Sequence, residues 1–180
     1  MKKLILLALI SLSIFSCKDQ VTHNNDNLYK YRAYIYQTTS GRISVQDPIQ
    51  ITLAKDISNY EANTVLKDGV LSISPQIKGK FIVLDKRHIE VIPEKKLKPN
   101  TEYTVKIALN KLLSRVPRDF KKFQFQFKTI EQNFVINTHN LQSYSKEWQY
   151  LQGSLQAADV MDISVCKTCL LYTSPSPRDS

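Results

Sequence analysis

Three kinds of side chain in this 180-residue chain have chemistry to offer: the thiols of Cys17, Cys166 and Cys169, the imidazoles of His23, His88 and His139, and the closely spaced rings of Phe123, Phe125 and Phe127. Cys17 stands directly after a cationic start, Lys2 and Lys3, and an apolar run from Leu4 to Phe15. That layout is a secretory signal peptide. Lys18, Asp19 and Gln20 end the run well short of the roughly 20 apolar residues that a bilayer-spanning helix needs. Cys166 and Cys169 have Cys-x-x-Cys spacing, but a tetrahedral metal site needs four ligands and neither a second pair nor a neighbouring His is at hand. The histidines lie far apart in sequence, so each reads as a surface or hydrogen-bonded residue and no metal is expected. The Phe rings recur at every second position opposite Gln124, Gln126 and Lys128, which is the pattern of a buried strand face before it is that of a glycan-stacking platform.

Ile14-Phe15-Ser16-Cys17 resembles the lipobox of bacterial lipoproteins, with an aliphatic residue at −3, a small one at −1 and the obligatory cysteine. The resemblance implies that the Cys17 thiol is diacylated through a thioether, that cleavage precedes Cys17, and that the new amine is acylated. Each buried CH₂ contributes about 0.8 kcal/mol, so several chains anchor durably where one would hold reversibly. Lys18-Asp19-Gln20 resembles, in part, the export tags of Bacteroidota surface lipoproteins. The polar, Asn-rich stretch from Val21 to Leu28 reads as a flexible tether. At the other end, residues 166–180 resemble translated sequencing-adapter read-through and are expected to carry no biology.

The formal charge of +9 becomes +7 once Lys2 and Lys3 leave with the signal, and +6 without Lys167, Arg178 and Asp179. The remaining lysines are scattered and have no stacking motif beside them, so nucleic acid is not expected as a partner. Solvated faces with some attraction to anionic surfaces account for the charge. Between Lys18 and Val165 there is no cysteine, so stability must come from an apolar core.

The elements around these residues are short strands. Tyr31, Ala33, Ile35 and Gln37 oppose Arg32, Tyr34 and Tyr36, with Gly41 at the following turn. Ile49, Ile51 and Leu53 alternate with Gln50 and Thr52. Val70 to Ser74 is stopped by Pro75, Lys80 to Leu84 follows Gly79, and His88 to Ile92 ends at Pro93. After the turn Lys98-Pro99-Asn100-Thr101 come Tyr103, Val105, Ile107 and Leu109, then Phe120, Phe123, Phe125 and Phe127. Asn110 to Arg118 reads equally as a helical turn or a loop, its length limited by Pro117. About seven strands in about 105 residues is the signature of a sandwich.

Leu71-Ser72-Ile73-Ser74-Pro75, Lys78-Gly79-Lys80, Ile92-Pro93 and Leu97-Lys98-Pro99-Asn100-Thr101-Glu102-Tyr103-Thr104-Val105 together resemble bacterial Ig-like domains. The nearest resemblance is to the N-terminal macroglobulin domain of bacterial alpha-2-macroglobulin lipoproteins. Phe125 to Thr129 is similar to the last strand of that domain, and Gln149 to Asp162 to the opening of the next. The resemblance implies a protease trap whose bait region, and in many members a thioester, lie outside these residues.

The expectation is therefore an all-β chain: an Ig-like antiparallel β-sandwich of about seven strands, preceded by a signal peptide and followed by the start of a second β domain. Its segments would be a lipoprotein signal at 1–16, a tether at 17–28, the sandwich at 29–130, a second macroglobulin-like start at 131–165 and the tail at 166–180. Cys17 would be the lipid attachment site, and no catalytic residue, cofactor or metal is expected. The partners would be the membrane, through the lipid, and target proteases, through downstream regions. The chain would act in the bacterial cell envelope as an outer-membrane scaffold domain of a protease inhibitor, and not as an enzyme. The alternative is a stand-alone surface Ig-like module for adhesion or glycan binding.

Overall fold

The computed structural model describes residues 24–143 and 149–164. In chain order these form α1 (Asn24–Lys30), β1 (Ile35–Thr38), β2 (Arg42–Ile43), β3 (Ile49–Leu53), β4 (Thr64–Val65), β5 (Leu71–Ser74), β6 (Gly79–Val83) and β7 (His88–Pro93). There follow β8 (Glu102–Ala108), α2 (Leu109–Leu112), a 3-10 turn (Arg118–Phe120), β9 (Lys122–Thr129), β10 (Phe134–Ser143) and β11 (Gln149–Ala157).

The chain is an all-β sandwich. One sheet runs β1-β3-β7-β6-β4 and the other β2-β9-β8-β5. Alternation decides which side chains meet between them. Ile49, Ile51, Leu53, Val83, Ile89 and Val91 point inward from the first sheet, and Ile73, Tyr103, Val105, Ile107, Phe123, Phe125 and Phe127 from the second. The register sets Phe125 opposite Val105 and Phe127 opposite Tyr103, and the latter two rings stack with centroids 5.4 Å apart. At Gly79, paired with Pro93, an added Cβ would lie 2.5 Å from the Ile92 carbonyl oxygen, so the sheet closes there only around glycine.

Several expectations are corrected. Nine strands build the two sheets, because β2 and β4, of two residues each, are too short for periodicity to reveal. The antiparallel rule breaks at one edge, where β2 pairs with β9 in parallel, Arg42 beside Lys128 and Ile43 beside Thr129. The first strand starts at Ile35 instead of Tyr31, since Tyr31 to Tyr34 form a turn after α1. There the Tyr31 hydroxyl donates to the carbonyls of Lys122 (2.8 Å) and Asp119 (3.1 Å), and its ring meets Phe120 and Phe123. Burial, then the negative charge of Asp119, raises the Tyr31 pKa. Part of the segment read as tether is helical from Asn24, and Leu28 packs against the core. Phe120 lies in the 3-10 turn and not in the aromatic strand. Over Asn110 to Arg118, the helix α2 extends to Leu112, with Leu109 and Leu112 buried three residues apart.

The Lys98–Tyr103 turn has a physical account. The Tyr103 oxygen accepts from the Lys98 amide at 3.1 Å, and Asn100 takes φ 48°. Thr129, fully buried, donates its hydroxyl to the Lys98 carbonyl at 2.6 Å and accepts from the Thr101 amide at 2.9 Å. A buried hydroxyl with both roles filled ties the end of β9 to the start of β8.

Candidate interdomain junction

The most developed polar arrangement lies where the chain leaves the sandwich. β9 runs out at Thr129, and the Ile130 amide donates to the Ile43 carbonyl at 2.9 Å, holding the exit strand to β2. The next element is the antiparallel ribbon β10–β11, which returns at Ala158, whose amide donates to the Asn133 carbonyl at 2.8 Å. Asp159 then docks on the loop after β2. Its Oδ1 accepts from the Ser44 hydroxyl at 2.5 Å and its Oδ2 from the Val45 amide at 2.8 Å. The Val160 amide adds a third donor at 2.7 Å.

The receiving loop is itself held. Asp47 accepts from the Ser44 amide at 2.9 Å, and the Val45 carbonyl accepts from the Leu97 amide at 2.7 Å. One residue before that contact, Lys96 reaches Asp162 at 2.7 Å, a second and more exposed tie between the sandwich and the returning chain. Partial burial works against the charged form of Asp159. The donors Ser44, Val45 and Val160, with Lys96 nearby, outweigh it and bring the carboxyl below its ordinary pKa. Both legs of the ribbon are thus fastened at one end of the sandwich.

The ribbon itself is two-faced. Its register places Phe134 beside Ala157, Ile136 beside Leu155 and Leu141 beside Leu151, so these six share one face. Asn137, Gln142, Ser154 and Gln156 lie on the other, with Val135 and Tyr150. Phe134 is 51% exposed and Leu141 61%, so the apolar face is open to solvent. An isolated two-stranded ribbon is marginal in water, and a face of this kind is stable when another layer covers it.

The residues singled out from sequence are not gathered into this site. Cys17, Cys166, Cys169 and His23 lie outside the described residues. His88 is exposed and its Nδ1 sits 2.7 Å from the Asp85 carboxylate, while His139 lies on exposed β10. The Arg87 amide, then the His88 side chain, hold the Asp85 carboxyl below its usual range. Among the described residues no three His, Cys, Asp or Glu side chains converge as metal ligands, and no helix is long and apolar enough to cross a membrane. The Phe123, Phe125 and Phe127 rings are 2–3% exposed and offer no stacking surface. Asp159 and Ser44 escaped the sequence reading, because 115 positions separate them and neither carries a local motif that names the other.

No protein-family model and no curated protein matches this chain. Among solved structures it is similar to an L,D-transpeptidase from Mycobacterium tuberculosis H37Rv, at 17% identity and a TM-score of 0.35, over 56% of this chain and 41% of that one. L,D-transpeptidase 3 from the same organism, in complex with a faropenem-derived adduct, gives 18% identity and a TM-score of 0.34 over 56% and 39%. The chain therefore spans about two fifths of the length of these structures. Because these proteins are enzymes, the expectation that this chain is not one is withdrawn. A likeness of this size assigns the chain no activity.

Proposed function

We propose that this chain is the membrane-anchored N-terminal scaffold domain of an alpha-2-macroglobulin-like protease inhibitor of the bacterial envelope, with Cys17 as its lipid attachment site. The observation that carries the reading is the clamp of Asp159 on Ser44 and Val45, at 2.5 and 2.8 Å. A scaffold domain must present the next domain at a set place, and a carboxylate held by donors from a braced loop does so. The uncovered apolar face of β10–β11 is consistent with this reading, because further strands of a second β domain would bury it. The lipobox resemblance supplies the anchor, and the Ig-like pattern from Leu71 to Thr129 the family.

Reading the gene downstream tests it. The proposal expects an open frame encoding further β domains, and a stop codon within a few hundred bases would sink it. The glycan-binding alternative loses its platform with the burial of the three Phe rings.

A further inference from the structure

On the outer face of the β2-β9-β8-β5 sheet, the register sets Ser72, Lys106 and Gln124 in one row, with Lys122 beside Ala108 in the next. These five, with Gly69 at one end, line a depression of about 420 Å³. Gly69 has φ +74°, and a Cβ there would stand 3.0 Å from Lys111 Nζ. Glycine thus lets a third ammonium lie against the rim. The polar lining offers hydroxyl, carboxamide and ammonium donors, and no carboxylate lines it among the described residues. Among the described residues none of Lys106, Lys111 and Lys122 has a carboxylate partner, whereas Lys96 and Arg87 do. Cations grouped around a concavity whose own lining holds no carboxylate match the several acceptor oxygens of a phosphate group.

The N-terminal segment is fastened to one of the strands that form the depression. The Asn27 carboxamide donates to the carbonyl of Gln124, so α1 is attached to the strand that lines the depression. Seven positions lead from Cys17 to Asn24, where α1 begins, and span at most about 25 Å when extended. We propose that this depression binds a phosphate group, supplied in the envelope by the headgroup of an anionic phospholipid. The site does not require the scaffold reading, and the lipid on Cys17 bears only on which phosphate lies within reach.

The test uses the full chain carrying Cys17→Ser, so that acylation plays no part and its absence cannot be confused with failure of the site. Sedimentation with vesicles of phosphatidylglycerol and phosphatidylcholine, against phosphatidylcholine alone, measures the preference for the anionic lipid. The apolar segment before Cys17 contributes equally to each variant and cancels in the comparison. Lys106→Glu with Lys122→Glu is expected to lower partitioning into the anionic vesicles by about 25-fold or more, at about five-fold per lysine. Lys78→Glu with Lys86→Glu changes the net charge equally, away from the depression, and is expected to lower it less than about three-fold. Equal losses in the two double variants would overturn the site, leaving only attraction of the whole chain's charge.

Inorganic phosphate provides the second arm, titrated without vesicles and followed at the Ser72 and Gln124 amides. Saturable shifts that vanish with the lysine reversals support the site with a soluble anion as occupant. Anionic-vesicle preference without such shifts supports the headgroup. Absence of both overturns the proposal. Unfolding midpoints matching the parent's check that both double variants are folded.

Discussion

Asp159 Oδ1 lies 2.5 Å from the hydroxyl of Ser44, across 115 positions of sequence, and this contact joins the chain returning from the ribbon to the sandwich. The geometry depends on a charge. A carboxylate accepts from Ser44, Val45 and Val160 at once, and each of those donors would otherwise turn to water.

Asp159→Ala is expected to free the ribbon without unfolding the sandwich. The cost to the docked state is about 1 kcal/mol, below the usual range for hydrogen bonds to a charged acceptor because solvent screens a partly exposed group. Faster hydrogen exchange at the Val45 amide with an unchanged rate at Val105 would meet the expectation. Equal acceleration at both would refute it.

Acid should do the same reversibly. The docked carboxyl has its pKa lowered from an ordinary 3.8, so the released form takes up a proton first and falling pH favours release. The contribution is fully present above the ordinary value and is lost as pH drops through the lower, docked one. Val45 exchange, corrected for its intrinsic pH dependence, should therefore be flat from pH 7 to about 5 and rise below about 4. A rise centred near neutrality would point to another group.

Thr129→Val tests the turn beneath the junction. Valine preserves the shape but leaves the Lys98 carbonyl and the Thr101 amide without the hydroxyl that now serves both. The expected loss is about 1–3 kcal/mol in urea unfolding. A neutral result would show that water or a backbone shift satisfies both groups.

Phe125→Ala removes a ring that is 2% exposed and faces Val105 across the strand pair. A cavity of that size costs about 3–5 kcal/mol. Tyr36→Ala, at a ring 71% exposed, should stay within about 0.5 kcal/mol. Similar losses at the two sites would contradict the placing of Phe125 in the core and Tyr36 on the surface.

Cys17→Ser should release the protein from membranes or block its processing. Fractionation and intact mass together decide it. Unchanged partitioning and unchanged mass would reject lipid attachment at this residue.

Local rules made much of the fold legible. Period-two alternation identified Ile49 to Leu53, Tyr103 to Ile107 and Phe123 to Phe127 as half-buried strands, and those inward residues form the core. The same rule erred at Tyr31 to Gln37, where Tyr31 and Tyr34 both turn inward three positions apart. There the hydroxyl of Tyr31 bonds to Asp119 and Lys122, and contacts 88 and 91 positions distant overrode the local preference.

What the sequence determined by itself, then, was the longer strands, the sandwich class and the apolar alternation that selects the core, because these follow from neighbours two to five residues away. Tertiary structure alone decided the parallel pairing of β2 with β9, the meeting of Ser44 with Asp159, and the grouping of Lys106, Lys111 and Lys122 around Gly69. Each depends on which sheet edge a segment reaches once the core has closed. Burial of apolar area makes that choice for the whole chain at once, and the polar partners are those that the closed core brings within hydrogen-bonding reach.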